Sequence, residues 1–363
     1  MLRLPVDTIH EFMLAVLKGI GVPAGDAEVC AEVLIASDLS GIESHGIGRL
    51  KMYYDRIRAG IQNPITKIDV VRDHMATAVW GGNHGMGQVI GKRAMQTAID
   101  KAAKYGLGAV SVRNSTHYGI CGFYANMATQ QNMIGLTFTN ARPSVCPTNG
   151  VQPLLGTNPI CFGAPTSLGY PFLYDAATSI SQRGKIEQLG REQKDTPAGW
   201  AIDLEGNPHT QTTQLLQDLI KQTASLLPIG GSDEVTGSHK GYGLSTMVEI
   251  LCAALCGGSF LNMLLGVDAN GKPAPYALGH FFMAINIESF IDIESFKKIS
   301  TAICQELQNS RKIPGQDRIY VAGEKEYLMQ QKVKAEGVPI IPNLQKAMQS
   351  MQDELGLNLI DFS

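Results

Sequence analysis

The first part of the chain has its apolar residues at helical spacing. Pro23 marks a typical helix start, and the apolar positions that follow recur three and four residues apart. They are Ala27, Cys30, Ala31, Leu34 and Ile35. A similar pattern returns from about residue 289 and continues towards the C-terminus. The two segments predict helical regions at both ends of the chain.

Between them, the pattern changes to short apolar runs. From about residue 68, runs such as GLGAVSV, MIGLTFT and PICFGAP are separated by Gly, Asn and Pro turns and by helices. This pattern predicts an α/β (α+β) protein. A mixed-sheet domain, residues 71–288, would be inserted into a discontinuous helical domain, residues 1–70 plus 289–363. The polar stretch 181–236 is expected to contain a mobile loop.

The composition is typical of a soluble globular protein. Of 363 residues, 44% are hydrophobic and 17% are charged. A formal net charge of −3 leaves no basic stripe for a nucleic-acid backbone, so we expect no nucleic-acid partner. Asp7 and Glu11 fall where a signal peptide needs apolar residues, and the 7 cysteines have no paired short spacing. Both features favour a cytoplasmic protein.

One apolar segment, residues 241–267, is long enough to raise the question of a membrane span. Its only charged residue is Glu249, but Gly257 and Gly258 interrupt it near the middle and Asn262 follows. We interpret the segment as a buried helix, a chain reversal and a second short element. No membrane partner is expected.

A glycine motif follows the run ATAVWG, with Gly85, Gly87 and Gly91 leading into a helix. Its spacing departs from the G-x-G-x-x-G fingerprint of dinucleotide-binding Rossmann folds. The fingerprint also requires an acidic residue about 20 positions further on, where this chain has Arg113 and Asn114. We interpret the motif as a tight strand-to-helix connection. A nicotinamide cofactor would therefore bind without a Rossmann fold.

The stretch GIESHGIGRLKMYYDRI, residues 41–57, has the composition of an anion clamp. If residues 46–59 are helical, His45, Arg49 and Tyr53 lie along one stripe. A helix N-terminus and an arginine fork together suit a carboxylate. The alternative is a capped helix with a surface arginine.

A second histidine, His117, lies on the polar turn between a predicted strand and a predicted helix. Such turns are rigid at the strand end and accessible from the loop, and a histidine there can exchange a proton near neutral pH. A purely structural role is the alternative.

Short polar signatures end several apolar runs and offer the donors and acceptors that a dinucleotide requires. They contain Asn140, Thr157, Asn158, Asp175, Thr178 and Ser179. His239 and Lys240, at a predicted helix start, would hold phosphate. Each of these residues is also an ordinary turn or surface residue. No metal site is expected, because no histidine or cysteine pair has ligand spacing, and no G-x-S-x-G elbow predicts a hydrolase.

Eight segments, spread over nearly the whole chain, form an ordered series: SDLSGIESHGIGRL, GMGQVIGKRAM, RNSTHYGICGFYANMA, LLGTNPICFGAP, DAATS, HKGYGLSTMVEIL, GHFFMAINIESF and IYVAGEKE. In this order they resemble the malate/L-lactate dehydrogenase type 2 family, non-Rossmann oxidoreductases that include ureidoglycolate and sulfolactate dehydrogenases. The malate members are the most similar. The resemblance implies a homodimer with a separate cofactor domain.

The resemblance also implies roles for single residues. Ser44, His45 and Arg49 match the substrate-binding and acid/base stretch, and His117 matches the proposed proton acceptor. Independently of the resemblance, we expect Asp175 to orient an imidazole, as carboxylates do for catalytic histidines. Tyr53, on the stripe of His45 and Arg49, would help to bind substrate. The implied cofactor contacts are Asn140, Ala141, Leu173, Tyr174, Asp175, Ala176, Ala177, Thr178, Ser179, His239, Lys240, Gly323, Glu324 and Lys325, in addition to the candidates Thr157 and Asn158.

Two positions depart from the family pattern. Ala176 replaces a usual Met, and Arg142 replaces a small or acidic residue. We expect Arg142 to bind a second carboxylate of the substrate or a cofactor phosphate.

The expected reaction is reversible hydride transfer between a nicotinamide cofactor and C2 of a small 2-hydroxy/2-oxo acid, with L-malate/oxaloacetate preferred. Lactate, ureidoglycolate, sulfolactate or a cyclic imino acid are alternatives. NAD is the expected cofactor, and NADP stays open because Arg183 and Lys185 follow DAATS. The alternative from another class is a non-catalytic protein that binds a nucleotide or small acid.

Overall fold

The computed structural model describes residues 2–362 of the chain. The helices are α1 Val6–Gly19, α2 Ala24–Leu39, α3 Leu50–Arg58, α4 Gly87–Tyr105, α5 Cys121–Thr129, α6 Arg183–Arg191, α7 Thr212–Lys221, α8 Ser238–Cys252, α9 Ile293–Asn309, α10 Glu324–Glu336 and α11 Pro342–Leu355. The strands are β1 Leu2–Leu4, β2 Asp69–His74, β3 Thr77–Gly81, β4 Leu107–Ser115, β5 Met133–Thr139, β6 Ile160–Ala164, β7 Phe172–Ala176, β8 Ala201–Asp203, β9 Ala224–Leu226, β10 Leu278–Asn286 and β11 Val338–Ile340.

Seven strands form a mixed sheet in the order β2-β3-β4-β10-β5-β6-β7. Strands β3 and β4 pair in parallel, and the other neighbours pair antiparallel. A Rossmann sheet is mostly parallel with a different strand order. The predicted α/β class with a mixed, non-Rossmann sheet is therefore confirmed.

The glycine motif connects β3 to α4, as predicted, and its glycines allow close packing of protein on protein. A Cβ at Gly87 would lie 2.4 Å from the carbonyl oxygen of Thr116 and 2.6 Å from that of His117. A Cβ at Gly91 would lie 2.8 Å from the Tyr124 ring. Since these contacts leave no room for a side chain, the start of α4 rests directly on the turn that carries His117.

The two ends of the chain fold together. Strand β1 pairs antiparallel with β11, and helices α1, α2, α3 and α11 enclose one apolar core. Helix α9 instead meets the segment between β6 and β7, where Thr301 Oγ1 accepts a hydrogen bond from the amide of Ser167 at 2.8 Å. The domain boundaries at residues 70 and 289 stay a prediction.

The stretch expected to contain a mobile loop folds as a small lobe, residues 181–229. It consists of α6, α7 and the β8-β9 hairpin, which share an apolar core with Val145 and Leu155 from the preceding segment. Ile186, Leu215 and Leu226 are fully buried in that core. Some polar residues of this stretch are buried between these short elements, among them Thr196, Thr212 and Ser225. The expected mobility of a loop in this stretch stays a prediction.

The apolar segment 241–267 forms α8, a short turn and a chain reversal at Gly257, as predicted. Its predicted burial is wrong for one face, because Leu244, Met247 and Ile250 are exposed. Among residues 2–362, no helix is long and apolar enough to cross a membrane.

Candidate active site

The imidazoles of His45 and His117 stack on each other. Their ring centroids are 5.4 Å apart and their planes differ by 26°. His45 precedes α3 in the helical part of the molecule, whereas His117 follows β4 of the sheet. The stack therefore lies where the two parts meet.

Both imidazoles are oriented through Nδ1. The Tyr53 hydroxyl bonds Nδ1 of His117 at 2.6 Å, and the Ser44 hydroxyl bonds Nδ1 of His45 at 2.8 Å. Neither Nε2 has a hydrogen-bond partner in the part of the chain that the structure describes. A hydrogen bond at one ring nitrogen fixes the orientation of the ring, so Nε2 is the atom available to a ligand.

The surroundings keep both rings neutral. Burial lowers the pKa of His45 to about 4, and the Arg49 guanidinium adds to this effect. Burial also lowers the pKa of His117 well below its usual value, with further contributions from His45 and Arg49. A neutral imidazole is a proton acceptor, which is the form required of a general base.

The predicted helix over residues 46–59 is wrong at its start. Ile47–Arg49 form a 3-10 turn and α3 begins at Leu50. The cause is Asp38, whose carboxylate accepts a hydrogen bond from the amide of Ile47 at 2.8 Å. With this turn in place, the Tyr53 hydroxyl still reaches Nδ1 of His117.

Arg49 lies close to the stacked rings and bonds Ser44, the residue whose hydroxyl bonds His45. Its Nε donates to the Ser44 carbonyl at 2.8 Å, and its side chain faces a second cleft together with Glu43 and Ser44. Arg49 is close enough to lower the pKa of both imidazoles. Arg49 does not line the cavity that contains both imidazoles in its wall.

A cavity of about 620 Å³ opens beside the stacked rings. Its size falls within the range of small-molecule and cofactor sites. The predicted residues that line it are His45, His117, Asn140, Ala141, Thr157, Asp175, Ala176, Ala177 and Ser179. The structure thus gathers both histidines and seven of the sixteen predicted cofactor residues around one cavity.

Asp175 closes this cavity at the end of β7, but it does not orient an imidazole. Its carboxylate accepts a hydrogen bond from the amide of Gly122 at 2.6 Å, and within residues 2–362 it makes none to either ring. Burial raises the pKa of Asp175 to about 6. The orienting partners are instead the Tyr53 and Ser44 hydroxyls.

Two predicted cofactor residues, Asn158 and Thr178, support the cavity wall from behind. Asn158 accepts a hydrogen bond from the amide of Ala141 at 3.2 Å and donates to the Glu249 carboxylate at 2.9 Å. The Thr178 hydroxyl donates to the carbonyl of Thr157 at 3.1 Å. These bonds fix the loops that form the wall.

Leu173 and Gly323 line a neighbouring cleft of about 310 Å³, which shares Asp175 with the main cavity. Glu324 is buried and paired with Arg318. The remaining predicted cofactor residues are exposed: Tyr174, His239, Lys240 and Lys325. His239 and Lys240 start α8 outside the main cavity.

Arg142 is not in the cavity. Its Nη2 donates to the carbonyl of Ile220 at 3.2 Å, near the end of α7. The expectation that it binds a second carboxylate of the substrate is therefore corrected. The lysine that does line the cavity is Lys185, whereas Arg183 is paired with Glu187.

The sequence reasoning missed His280, which supports the His117 turn from the sheet. Its ring nitrogens bond the Thr139 and Ser115 hydroxyls, each at 2.8 Å, and its ring stacks on Tyr118 with centroids 4.4 Å apart. The GHFF segment contains this histidine, but no spacing links it to His117. His280 meets the His117 turn because β10 lies at the centre of the sheet beside β4, and the sequence does not show this strand order.

The chain is similar over nearly its whole length to known dehydrogenases. The sequence profile of the family described as malate/L-lactate dehydrogenase matches residues 4–349. A malate dehydrogenase of Pyrococcus horikoshii is 42% identical over 98% of this chain and 96% of its own length. An L-sulfolactate dehydrogenase of Methanocaldococcus jannaschii is 38% identical over 97% of each chain. The crystal structure of malate dehydrogenase from Entamoeba histolytica is 43% identical and superposes with a TM-score of 0.95 over 98% of this chain and 99% of that chain. The resemblance noted from the sequence is confirmed.

Proposed function

The chain belongs to the malate/L-lactate dehydrogenase family, and on that premise we propose that it oxidises small 2-hydroxy acids to 2-oxo acids and catalyses the reverse reaction. L-malate and oxaloacetate are the preferred pair. The observation that carries the proposal is the stack of His45 on His117 at the wall of a cavity of ligand size.

In the oxidation, Nε2 of His45 accepts the proton of the C2 hydroxyl as C2 loses its hydride. In the reduction, the same imidazole returns the proton to the ketone oxygen. His117, stacked beside it and held by the Tyr53 hydroxyl, fixes the position of the first ring and is the alternative proton carrier. General acid–base catalysis of this kind contributes about 10²–10⁴-fold.

Arg49 is the proposed partner of the C1 carboxylate. Its Nε is occupied by the Ser44 carbonyl, and its Nη atoms have no hydrogen-bond partner within the described residues 2–362. A guanidinium offers its remaining donors in a fork that matches a carboxylate. The substrate carboxylate would then lie beside Ser44, between the guanidinium and the imidazoles.

The cavity residues suit a nicotinamide cofactor, which when bound would accept or supply the hydride. Thr157 contributes a hydroxyl to the cavity wall, and Ala176 and Ala177 continue this wall. Asn140 and Ser179 shape the wall, because their side chains bond the carbonyls of Ser259 and Ser181. We propose NAD as the cofactor, in line with the expectation from the sequence.

The pH dependence follows from the pKa of His45. A lowered pKa keeps the imidazole unprotonated, so its base form persists to lower pH than for an ordinary histidine. We expect kcat/KM for L-malate oxidation to fall on the acid side with a midpoint well below the usual histidine value of about 6.5. For oxaloacetate reduction, kcat/KM should rise as the pH falls from about 8, because the acid form becomes more populated. An oxidation midpoint at or above 6.5 would contradict the assignment of the base.

A substrate panel tests the function through the absorbance of NADH and of NADPH. Reduction is measured with oxaloacetate, pyruvate, 3-sulfopyruvate, phenylpyruvate and a cyclic imino acid. Oxidation is measured with ureidoglycolate and either NAD or NADP. We expect the highest kcat/KM for oxaloacetate with NADH. Preference for another acid would identify a different dehydrogenase of the same chemistry. Quenching of protein fluorescence by NADH without turnover of any substrate would instead support a non-catalytic binding protein.

We propose that two copies associate through the outer face of α8 and the segment after it. Leu244, Met247, Ile250, Phe260 and Met263 are exposed there, and an apolar surface of this extent is typical of an interface. Static light scattering should give twice the mass of one chain, and the Ile250→Glu variant should give the mass of a single chain. A monomeric native protein would contradict this arrangement.

We place the protein in the cytoplasm. All seven cysteines are buried and free, which suits a reducing compartment.

A further inference from the structure

The first turn of α6, in the small lobe, faces the same cavity as the two imidazoles. Ser181, Gln182 and Lys185 line this cavity together with His45 and His117. Gln182 precedes the helix, and no side chain of residues 2–362 caps the first turn. The amides at this N-terminus carry partial positive charge and lack a side-chain acceptor.

A second observation concerns Ser181, which lies just before the first turn of α6. The Ser181 side chain is 5% exposed, and its hydroxyl has no hydrogen-bond partner among the residues that the structure describes. A buried hydroxyl without a partner is unfavourable. Because Ser181 lines the cavity, a ligand in the cavity is in a position to provide that partner.

The charge at this place is positive. Lys185 is the one lysine or arginine among the residues that line the cavity. It makes no ion pair within residues 2–362, and its ammonium lies 5.5 Å from the centroid of the Trp200 ring. The other cation on this turn, Arg183, points to Glu187 and is neutralised by it.

The turn lies close to the reacting groups. A Cβ at Gly184 would come within 2.9 Å of Cβ of Ser44, whose hydroxyl bonds the imidazole of His45. The Ser44 side chain therefore lies between the start of α6 and His45, the proposed proton acceptor. The 2′-phosphate of a dinucleotide is too remote from the nicotinamide for this place, since two riboses and a pyrophosphate separate them.

We propose that Ser181, the uncapped N-terminus of α6 and Lys185 form a subsite for a second acidic group on the substrate, a carboxylate or sulfonate attached to C3. This inference rests on the proposed function and replaces the role expected for Arg142. The Ser181 hydroxyl and the helix amides donate hydrogen bonds to the anion, and Lys185 supplies the opposite charge. The subsite selects substrates that carry two acidic groups over those that carry one.

The test compares oxaloacetate with 2-oxobutyrate, which has the same number of carbons but lacks the second acidic group. Lys185→Met should lower kcat/KM for oxaloacetate by about 10- to 100-fold, the range for a hydrogen bond to a charged group. The same variant should change kcat/KM for 2-oxobutyrate by less than about twofold, as expected when the lost contact involves only the second acidic group. Ser181→Ala should have the same selectivity with a loss of about 3- to 10-fold. 3-Sulfopyruvate should follow oxaloacetate.

Lys194→Met is the matched control. Lys194 lies in the same lobe and pairs with Glu192 on the surface, away from the cavity. This variant should keep the native kcat/KM for both acids. An equal loss on both acids in Lys185→Met, or a rise in KM for NADH or NADPH without discrimination between the acids, would overturn the proposal.

A binding measurement separates this proposal from the proposed function. If the native protein turns over no substrate of the panel, the proposed function fails, and the subsite is then tested by calorimetric titration with L-malate. Lys185→Met should bind L-malate at least about tenfold more weakly than the native protein or Lys194→Met. Equal affinity in the three proteins, or the absence of L-malate binding to the native protein, would overturn the subsite.

Discussion

His45→Ala is expected to lower kcat for L-malate oxidation by about 10²–10⁴-fold, because the C2 hydroxyl loses the base that accepts its proton. His117→Ala should reduce kcat by a similar factor, because the His45 ring loses its stacked neighbour and the Tyr53 hydroxyl loses its partner. Steady-state rates with saturating NAD measure both effects.

The control for these variants is His10→Ala, which removes a histidine paired with Glu28 on the outside of the helical part. This variant should keep the native kcat. Fluorescence quenching by NADH and thermal unfolding show whether each variant remains folded. Native kcat in both His45→Ala and His117→Ala would refute their assignment to proton transfer.

The second large effect is expected for Arg49→Lys, which should lower kcat/KM for L-malate by about 100-fold. The loss corresponds to two charge-assisted hydrogen bonds of about 1.5 kcal/mol each, since an ammonium cannot reproduce the planar fork. Most of the loss should appear as a higher KM. A lysine at this position also cannot hold the Ser44 carbonyl and a carboxylate in the same geometry.

Arg58→Lys, an exposed change at the end of α3, is the matched control and should leave KM unchanged. If Arg49→Lys lowers kcat while KM for L-malate stays native, Arg49 does not bind the substrate carboxylate. Its contact with Ser44 would then be its main role.

The helices and strands that position the site follow from local patterns. The helical periods at the two ends and the short apolar runs between them indicated the mixed sheet and the joined termini. The glycine motif was also interpreted correctly, because its spacing and the residues after it do not fit a Rossmann fingerprint. Each of these conclusions needs only neighbouring residues.

The errors arise where a distant residue decides the local structure. Asp38 holds the amide of Ile47 and converts the predicted first helical turn into a 3-10 turn. Arg142 follows a strand end that borders the cavity, but the carbonyl of Ile220 binds its guanidinium. Neither contact has a signal in the spacing of apolar residues.

The apolar face of α8 illustrates another limit. An uninterrupted apolar segment predicts burial, yet Leu244 and Ile250 are exposed on a single chain. An apolar sequence pattern predicts that a side chain is buried away from water. It does not distinguish the core of one chain from an interface between two.

The convergence of His45 and His117 was expected from the resemblance, because no spacing rule relates the two segments. The structure shows a physical link between the two segments. Tyr53, on the helix that follows His45, bonds Nδ1 of His117 through its hydroxyl. The role of the pair in proton transfer stays a prediction.

The most direct test of that role is a crystal structure with NAD and tartronate, a 2-hydroxy dicarboxylate. We expect its hydroxyl oxygen within about 2.6–3.2 Å of Nε2 of His45 or His117, with the nicotinamide against the wall formed by Asn140 and Ala177. A ternary complex in which tartronate and the nicotinamide lie away from both imidazoles would contradict the account.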